Sequence, residues 1–494
     1  MTPSTRARAA ALLAEIRALR AEIAAEGAAM CAPWCAAIGR GAFRPSAQNL
    51  ACYIALRRRE LRPLQRELAA FGLSSLGRLE GRVLTSLDAV AGALAALAGE
   101  PMADVAFLDA ETYAEGESRL RAATDELFGS ARAGRRARLM LTMPGFAATD
   151  ADFLTDCVRS GMDVARINCA HDDEAAWAAM IEAIRAAAAA AGRRVSILMD
   201  IAGPKARIEA VQLRAGTERV FEDNAVLLVA EDFRPVTEWP VQIRIGIPEA
   251  VAAVREGAEV WFDDGKLGCV VEQRDGRDAV LRVMHVRPKG FRVKPDKGVN
   301  FPGTDIGVTA LTDKDRTDIA FAAHQADIVG SSFVQSADDV AMLQAELARH
   351  RPTDWDRLGL IAKIETSQAV ARLPDIVVAA AGRQPFGVMI ARGDLAVELG
   401  FERMAEMQEE ILWLCEAAQV PVIWATQVLE GYVKKGQPSR GEMTDAAMAA
   451  RAECVMLNKG PFAAGALRIL DRLLVRMDEH QFKKTNRLRA LRSW

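Results

Sequence analysis

"GVMIARGDLAVELG", Gly387 to Gly400, changes character in its middle. The first five residues form an apolar run of strand type, and Arg392, Gly393 and Asp394 follow at once. A buried strand that runs into a cation and a carboxylate delivers charge to one end of a sheet. Charge in such a place is expensive unless it is paired or ligating. Similar short apolar runs recur along the chain: "RLMLTM" (138–143), "VARIN" (164–168), "SILMDI" (196–201), "ADIVGSSF" (326–333), "GLIAKIE" (359–365), "FGVMIA" (386–391), "PVIWATQ" (421–427) and "CVMLNKG" (454–460). Helical stretches such as "EAAWAAMIEAIRAAAAAA" (174–191) and "ERMAEMQEEILWLCEAA" (402–418) separate most of them. Eight βα units in series predict an α/β fold, a closed (β/α)8 TIM barrel.

One connection is too long for a barrel loop. More than 120 residues separate the third strand from the fourth. Within it, 208–302 alternates Val, Ile and Leu around "DDGK" and "RDGRD" turns, which predicts a small antiparallel β-barrel domain inserted as a lid. Residues 1–136 are rich in Ala, Arg, Leu and Glu, and Leu12, Ile16, Leu19 and Ile23 recur at helical spacing. They predict an all-helical N-terminal extension whose apolar faces serve packing and homo-oligomer assembly. The barrel then comprises 137–207 and 303–494.

Composition narrows the function classes. The 494 residues are 51% hydrophobic and 26% charged, with a net charge of −3. These values describe a soluble globular protein and give no reason to expect a nucleic-acid or membrane partner. No run of 18 apolar residues occurs, and Arg and Glu interrupt the N-terminus too often for a signal peptide, so the expected location is the cytoplasm. Eight scattered cysteines fit a reducing compartment. Cys31 and Cys35 in "CAPWC" have no second Cys/His pair nearby and read as a structural pair rather than a zinc site.

Barrel chemistry gathers at the C-terminal ends of the strands. Those ends carry Asn168, Asp200, Ser331 and Ser332, Lys363 with Glu365, Arg392 with Asp394, Thr426 and Asn458. Lys363 and Glu365 are two apart and point the same way. Glu365 and Asp394, from adjacent units, suit Mg²⁺, which takes one or two carboxylates plus waters and substrate oxygens. The neighbouring Lys and Arg suit an anionic substrate such as a phosphate, and Gly393 lets the backbone approach it. Two plainer readings compete: Arg-Gly-Asp as an adhesion tripeptide, which needs an exposed loop tip, and Lys363–Glu365 as a structural ion pair.

Taken in order, "SGMDVARINCAH" (160–171), "MDIAGPKARI" (199–208), "DDGKL" (263–267), "KGVNFPG" (297–303), "AKIETSQAVARLPDI" (362–376), "GVMIARGDLAVELG" (387–400), "VPVIWATQVLEGYVKKGQPSRGEMTDA" (420–446) and "AECVMLNKG" (452–460) resemble pyruvate kinase. The resemblance implies a phosphotransferase of glycolysis that moves the phosphoryl group of phosphoenolpyruvate to ADP, giving pyruvate and ATP. It implies Mg²⁺, with Mn²⁺ as a substitute, on Glu365 and Asp394. Lys363 and Arg166 would neutralise the phosphoryl group in flight, and the Ala391, Arg392, Gly393 and Asp394 backbone would cradle the substrate carboxylate. Thr426 would stand at the enolate methylene. His171, Arg207, Asn168 and Lys297 would face the nucleotide phosphates.

The departures from the family carry expectations of their own. Asn168 and Asp200 match a K⁺ site, but Ala170 replaces its serine hydroxyl, and Lys205 stands where K⁺-dependent members have Glu. A lysine ammonium in that site, paired with Asp200, predicts activity without K⁺. In strand eight Asn458 replaces Ser, and Gly460 stands near the usual Glu, in the proton-delivery region. The chain stops at Trp494, before the family's C-terminal α/β domain, which predicts no sugar-phosphate activation through that domain. The alternatives are a Mg²⁺-enolate barrel enzyme with another reaction, or a non-catalytic sensor of phosphoenolpyruvate or nucleotide.

Overall fold

The computed structural model describes residues 2–100 and 109–487. Residues 1 and 101–108, which the sequence assigns to the helical extension, and 488–494, assigned to the barrel, lie outside that description. Eight parallel strands close a barrel: β1 (Arg138–Thr142), β2 (Val164–Asn168), β3 (Ser196–Ile201), then, after the insertion, β11 (Ile328–Ser331), β12 (Gly359–Ile364), β13 (Phe386–Ala391), β14 (Val422–Ala425) and β15 (Cys454–Leu457). All eight predicted strands are present, and β1 pairs with both β2 and β15 to close the ring. Side chains alternate between two apolar layers. One set faces the surrounding helices, and the other, Met140, Val164, Leu198, Ile328, Ile361, Met389, Ile423 and Met456, fills the interior.

The insertion folds as strands β4 (Ile208–Leu213), β5 (Ala225–Val229), β6 (Val241–Ile245), β7 (Glu259–Phe262), β8 (Leu267–Asp275), β9 (Asp278–Val286) and β10 (Val299–Asn300), with its own apolar core. It is not wholly antiparallel as the alternation suggested: β5 and β6 run parallel, because the residues between them cross the sheet rather than turn back. The edge strands β4 and β10 meet through an Arg207–Gly298 bridge, which curls the sheet shut. The connection back to the barrel, which begins with Asp394's hydrogen-bond partner Asn300, is therefore held from both sides.

The extension is helical: α1 (Pro3–Ala37), α2 (Arg44–Arg57), α3 (Arg62–Ala70), α4 (Val83–Ala98) and α5 (Ala110–Phe128). Leu12, Ile16, Leu19 and Ile23 of α1 are buried as their spacing predicts. Cys31 and Cys35 lie inside α1. Among the described residues no set of three or more His, Cys, Asp or Glu side chains gathers as a metal site, and no helix is long and apolar enough to cross a membrane.

Several contacts tie these helices to the barrel, among them three made by Asn49, Trp34 and the end of α5. Asn49 donates to the carbonyls of Glu80 and Ala417 at 2.6 and 2.8 Å, and accepts from the Val83 N–H at 2.9 Å. The Trp34 indole donates to Asp375 at 2.9 Å. The third is the most intimate. Leu127 and Phe128, the last residues of α5, belong to the interior layer of the barrel. A Cβ built on Gly359 or Gly387, at the start of β12 and β13, would lie 2.7 or 2.8 Å from the Leu127 methyls, so only glycine leaves room there.

Below the barrel, Glu416 is half-buried, with Glu80 and Glu453 around it and Lys483 and Lys484 opposite. Burial is the largest influence and pushes its carboxyl up to about 8; Lys483 opposes this and Glu80 adds to it. A carboxyl raised above its ordinary value of 4.5 stabilises the fold fully below that pH, and the stabilisation is lost as pH rises through about 8.

Two measurements check this account. Leu127→Ala is expected to lower the unfolding free energy by about 3 kcal/mol in a denaturant titration, and Gly387→Ala by about 2 kcal/mol through overpacking. Losses under roughly 0.5 kcal/mol would show that α5 does not seal the floor. Glu416→Gln is expected to gain stability over the native protein as pH is raised from 5 to 9, by up to about 4 kcal/mol. Parallel stability–pH curves for the two proteins would contradict the assigned shift.

Candidate active site

The site is built on a carboxylate with no access to water. Asp200, next to the last residue of β3, has 1% of its surface exposed. Arg166 of β2 donates to its Oδ2 through Nε at 2.8 Å, and Lys363 Nζ of β12 stands 3.5 Å from the same oxygen. Burial alone would push the Asp200 carboxyl up, but Lys363 and Arg166 outweigh it and hold the pKa below the ordinary value. Arg166 is further oriented by Thr142 Oγ1 of β1, at 2.9 Å.

Lys363 is the hub. Its ammonium donates to Ser332 Oγ at 2.7 Å and lies 3.2 Å from Glu365 Oε1. Burial pulls its pKa down, yet Asp200 and Glu365 prevail and the pKa is raised, so the group is a fixed cation at neutral pH. Glu365 is 2% exposed, and its Oε2 accepts from the Phe333 N–H at 2.7 Å. That N–H is aimed by a backbone with φ of 56°, in the left-handed region where a non-glycine residue is strained. Burial raises the Glu365 pKa; Lys363 opposes the rise and Asp394 reinforces it.

Asp394 arrives differently from expectation. The strand ends at Ala391, and a helix, Arg392–Leu399, begins at the next residue, so Asp394 sits in a first helical turn rather than on a strand tip. The first N–H groups of a helix lack intrahelical partners and favour an anion. Asp394 Oδ1 accepts from Lys205 Nζ at 2.7 Å and from Asn300 Nδ2 of the lid at 3.3 Å. Burial would raise its pKa, but Lys205 outweighs burial and lowers it.

Two further sequence expectations need correction. Lys205 pairs with Asp394, not with Asp200: Lys205 lies past the end of β3, where its ammonium reaches the neighbouring carboxylate, and Asp200 takes its cations from Arg166 and Lys363. The Arg392 side chain is turned away from any anionic ligand. It forms an ion pair with Asp445, donates to the carbonyls of Ala425 and Thr426, and stacks on Trp424 at 4.6 Å. Only the backbone of Arg392 remains available at the strand–helix junction.

Thr426 has φ of 63°, and its buried hydroxyl has no partner among the described residues; the group lies 3.9 Å from a Cβ position on Gly393. A strained residue with an unsatisfied buried hydroxyl beside a glycine is the arrangement expected where a ligand atom belongs. Asn168 Oδ1 accepts from the Ala170 N–H at 3.1 Å, closing the turn that presents His171. Burial lowers the His171 pKa, with Lys459 and Arg207 adding to it, so these cations share one side of the mouth. Arg207 donates to the Asp296 carbonyl at 3.0 Å, next to Lys297, which itself pairs with Asp263 at 3.2 Å. Asn458 donates to Glu430 at 3.0 Å, and Gly460 packs so closely on Val433 that a Cβ would lie 2.5 Å from it.

The residues that sequence reading passed over are Thr142, Asn300, Glu398 and Lys459. Thr142 ends β1, Lys459 follows β15 inside the quoted "CVMLNKG", and Asn300 lies inside the quoted "KGVNFPG", so a signal existed for each. Glu398 lies inside the opening stretch, Gly387–Gly400; burial pushes its carboxyl up to about 7, with Asn300 between it and Asp394.

The donor set suits a hard divalent cation. Glu365 and Asp394 are close enough to repel, and each is neutralised by a lysine, Lys363 and Lys205. Two converging carboxylates with oxygen ligands only match Mg²⁺ rather than zinc.

Comparison with known proteins agrees with this geometry. A family model described as pyruvate kinase, barrel domain, matches residues 134–469. The pyruvate kinase of Geobacillus stearothermophilus is 34% identical over 341 residues, which are 67% of this chain and 54% of that protein. The pyruvate kinase of Agrobacterium vitis is 34% identical over 360 residues, 71% of each chain, and that of Mycobacterium intracellulare 31% over 353 residues, 70% of this chain and 71% of that one. The chain spans about half the length of the Geobacillus relative and of the pyruvate kinase of Bacillus licheniformis. A parallel eight-stranded barrel with an inserted lid, charged at the strand ends, and these matches over two thirds of its length establish that the chain belongs to the pyruvate kinase family.

Proposed function

We propose that the protein transfers the phosphoryl group of phosphoenolpyruvate to ADP. The observation that carries the proposal is the convergence of Lys363, Glu365 and Asp394 on one buried point, with Arg166 fixed beside them by Asp200. Phosphoryl transfer needs little covalent help from a protein; it needs positioning and fixed positive charge, and this cluster supplies both.

Glu365 and Asp394 would hold Mg²⁺, which supplies Lewis-acid neutralisation of substrate oxygens when bound. Lys363 keeps its proton and faces the phosphoryl group with Arg166. The Arg392–Asp394 N–H groups at the helix start receive the substrate carboxylate, and Gly393 leaves the approach open. His171, Arg207 and Lys297 take the nucleotide phosphates. The enol P–O bond breaks as a bond forms to the terminal phosphate oxygen of ADP. The enolate left behind takes a proton at its methylene carbon, on the side where the Thr426 hydroxyl stands unpaired. The sum is phosphoenolpyruvate, ADP and a proton giving pyruvate and ATP.

Independence from K⁺ belongs to the same reading. Ala170 offers no hydroxyl for a monovalent ion, and Lys205 already places a fixed cation at the site. Its contact with Asp394 supports a resident charge beside the divalent-ion ligands rather than one bound to Asp200.

A coupled assay of pyruvate formation tests the reaction. Lys363→Met and Asp394→Ala are each expected to lower kcat by at least about 10²-fold, with the fold retained by circular dichroism. Phosphoenolpyruvate binding without any turnover in the native protein would move the assignment to a sensor. Rates in sodium-only and potassium-containing buffers are expected to be equal, and strong activation by potassium would remove the role given to Lys205.

A further inference from the structure

The lid carries a cationic surface of which the proposed phosphoryl-transfer site uses a single residue, Lys297. A groove of about 630 Å³ lies against the β9–β10 connection and the turn after β7, lined by seven basic side chains and one carboxylate, Asp263. Lys266 and Lys297 both rest on that carboxylate, at 2.9 and 3.2 Å. Arg219 is used by the loop itself, donating to the carbonyls of Lys289 and Gly290 at 3.2 and 3.1 Å. The other four, Arg287, Lys289, Arg292 and Lys294, are exposed and make no ion pair or side-chain hydrogen bond among the described residues.

A solvated loop would not need this arrangement. Elsewhere on the lid, Arg234, Arg244, Arg277 and Arg282 each sit against a carboxylate. The chain as a whole carries more acids than bases, yet a single one faces this groove. Crowded like charges repel, and an anion relieves them. The backbone is also set: Phe291 and Val220 exchange two hydrogen bonds at 2.9 Å, and Gly290 closes a turn onto the Arg287 carbonyl at 2.8 Å. Phe291 and Val293 point into the lid core, so Arg292 and Lys294 project outward together.

We propose that this groove binds a chain of linked phosphoryl groups, either free inorganic polyphosphate or the triphosphate tail of a nucleotide. The high density of unpaired cations selects for multiple negative charge, and arginine forks suit phosphate oxygens. Single-stranded nucleic acid fits less well, because the one aromatic lining residue, Phe291, is buried in the lid core and offers no face for a base to stack on. The groove borders the proposed nucleotide site at Lys297, but the four unpaired cations that carry it, Arg287, Lys289, Arg292 and Lys294, take no part in the phosphoenolpyruvate reaction.

Calorimetric titration of the full chain tests the groove. Tripolyphosphate is expected to bind at least about tenfold tighter than orthophosphate, and to weaken as NaCl is raised from about 50 to about 200 mM. Arg287→Glu combined with Arg292→Glu is expected to weaken it at least about tenfold, with the unfolding temperature and the kcat for pyruvate formation unchanged. The pair Arg287→Lys and Arg292→Lys keeps most of the affinity. A second ATP site lost in the reversed variant identifies a nucleotide tail as the ligand; an effect confined to tripolyphosphate identifies the inorganic chain. Tripolyphosphate affinity unchanged by charge reversal, absence of binding, or tighter binding of an oligothymidylate than of tripolyphosphate each overturns the proposal.

Discussion

Asp200 has no solvent to fall back on, so its neighbours must supply all of its stabilisation, and they do so with two cations from different strands. A lone buried carboxylate would be protonated, and two buried cations facing each other would repel; together they hold one another charged and still. The arrangement propagates. Lys363 passes from Asp200 to Glu365, Glu365 feels Asp394, and Asp394 is held by Lys205 and by Asn300 of the lid. Barrel and lid thus share one charge network, and the position of each member is fixed by the member before it.

How much of this could be read from residue order depends on the kind of information each part needs. The eight strands were legible because full burial leaves short apolar runs that few other structures produce, and strand alternation put Lys363 beside Glu365. Partners brought together by tertiary structure were not legible. Lys205 was expected on Asp200 and lies on Asp394, because it falls beyond the end of β3 and its ammonium reaches the neighbouring carboxylate. Arg392 read as a substrate cation, but the start of a helix at that residue rotates its side chain toward Asp445. The parallel pairing of β5 and β6 was hidden because hydrophobic alternation is the same for either direction of a strand.

The N-terminal helices are integrated with the barrel rather than appended to it. Asn49 satisfies three backbone groups from two separate segments with one side chain, and Glu416 draws carboxylates and lysines from the extension, the barrel and the hairpin of Gln481–Phe482 and Thr485–Asn486 into one cluster. Such clusters are poorly tolerant of single changes, because removing any partner leaves another buried and unpaired.

The end of α5 also bears on how this protein can be divided. Leu127 and Phe128 fill space that eight strands enclose and none of them occupies. Counted by strands and helices the barrel is a self-contained repeat, but counted by volume it borrows two side chains from outside itself. A recombination boundary placed just before β1 would respect the topology and still leave a hole in the floor. For exchange between proteins, or for circular permutation, the indivisible unit therefore begins one helix earlier than the architecture suggests.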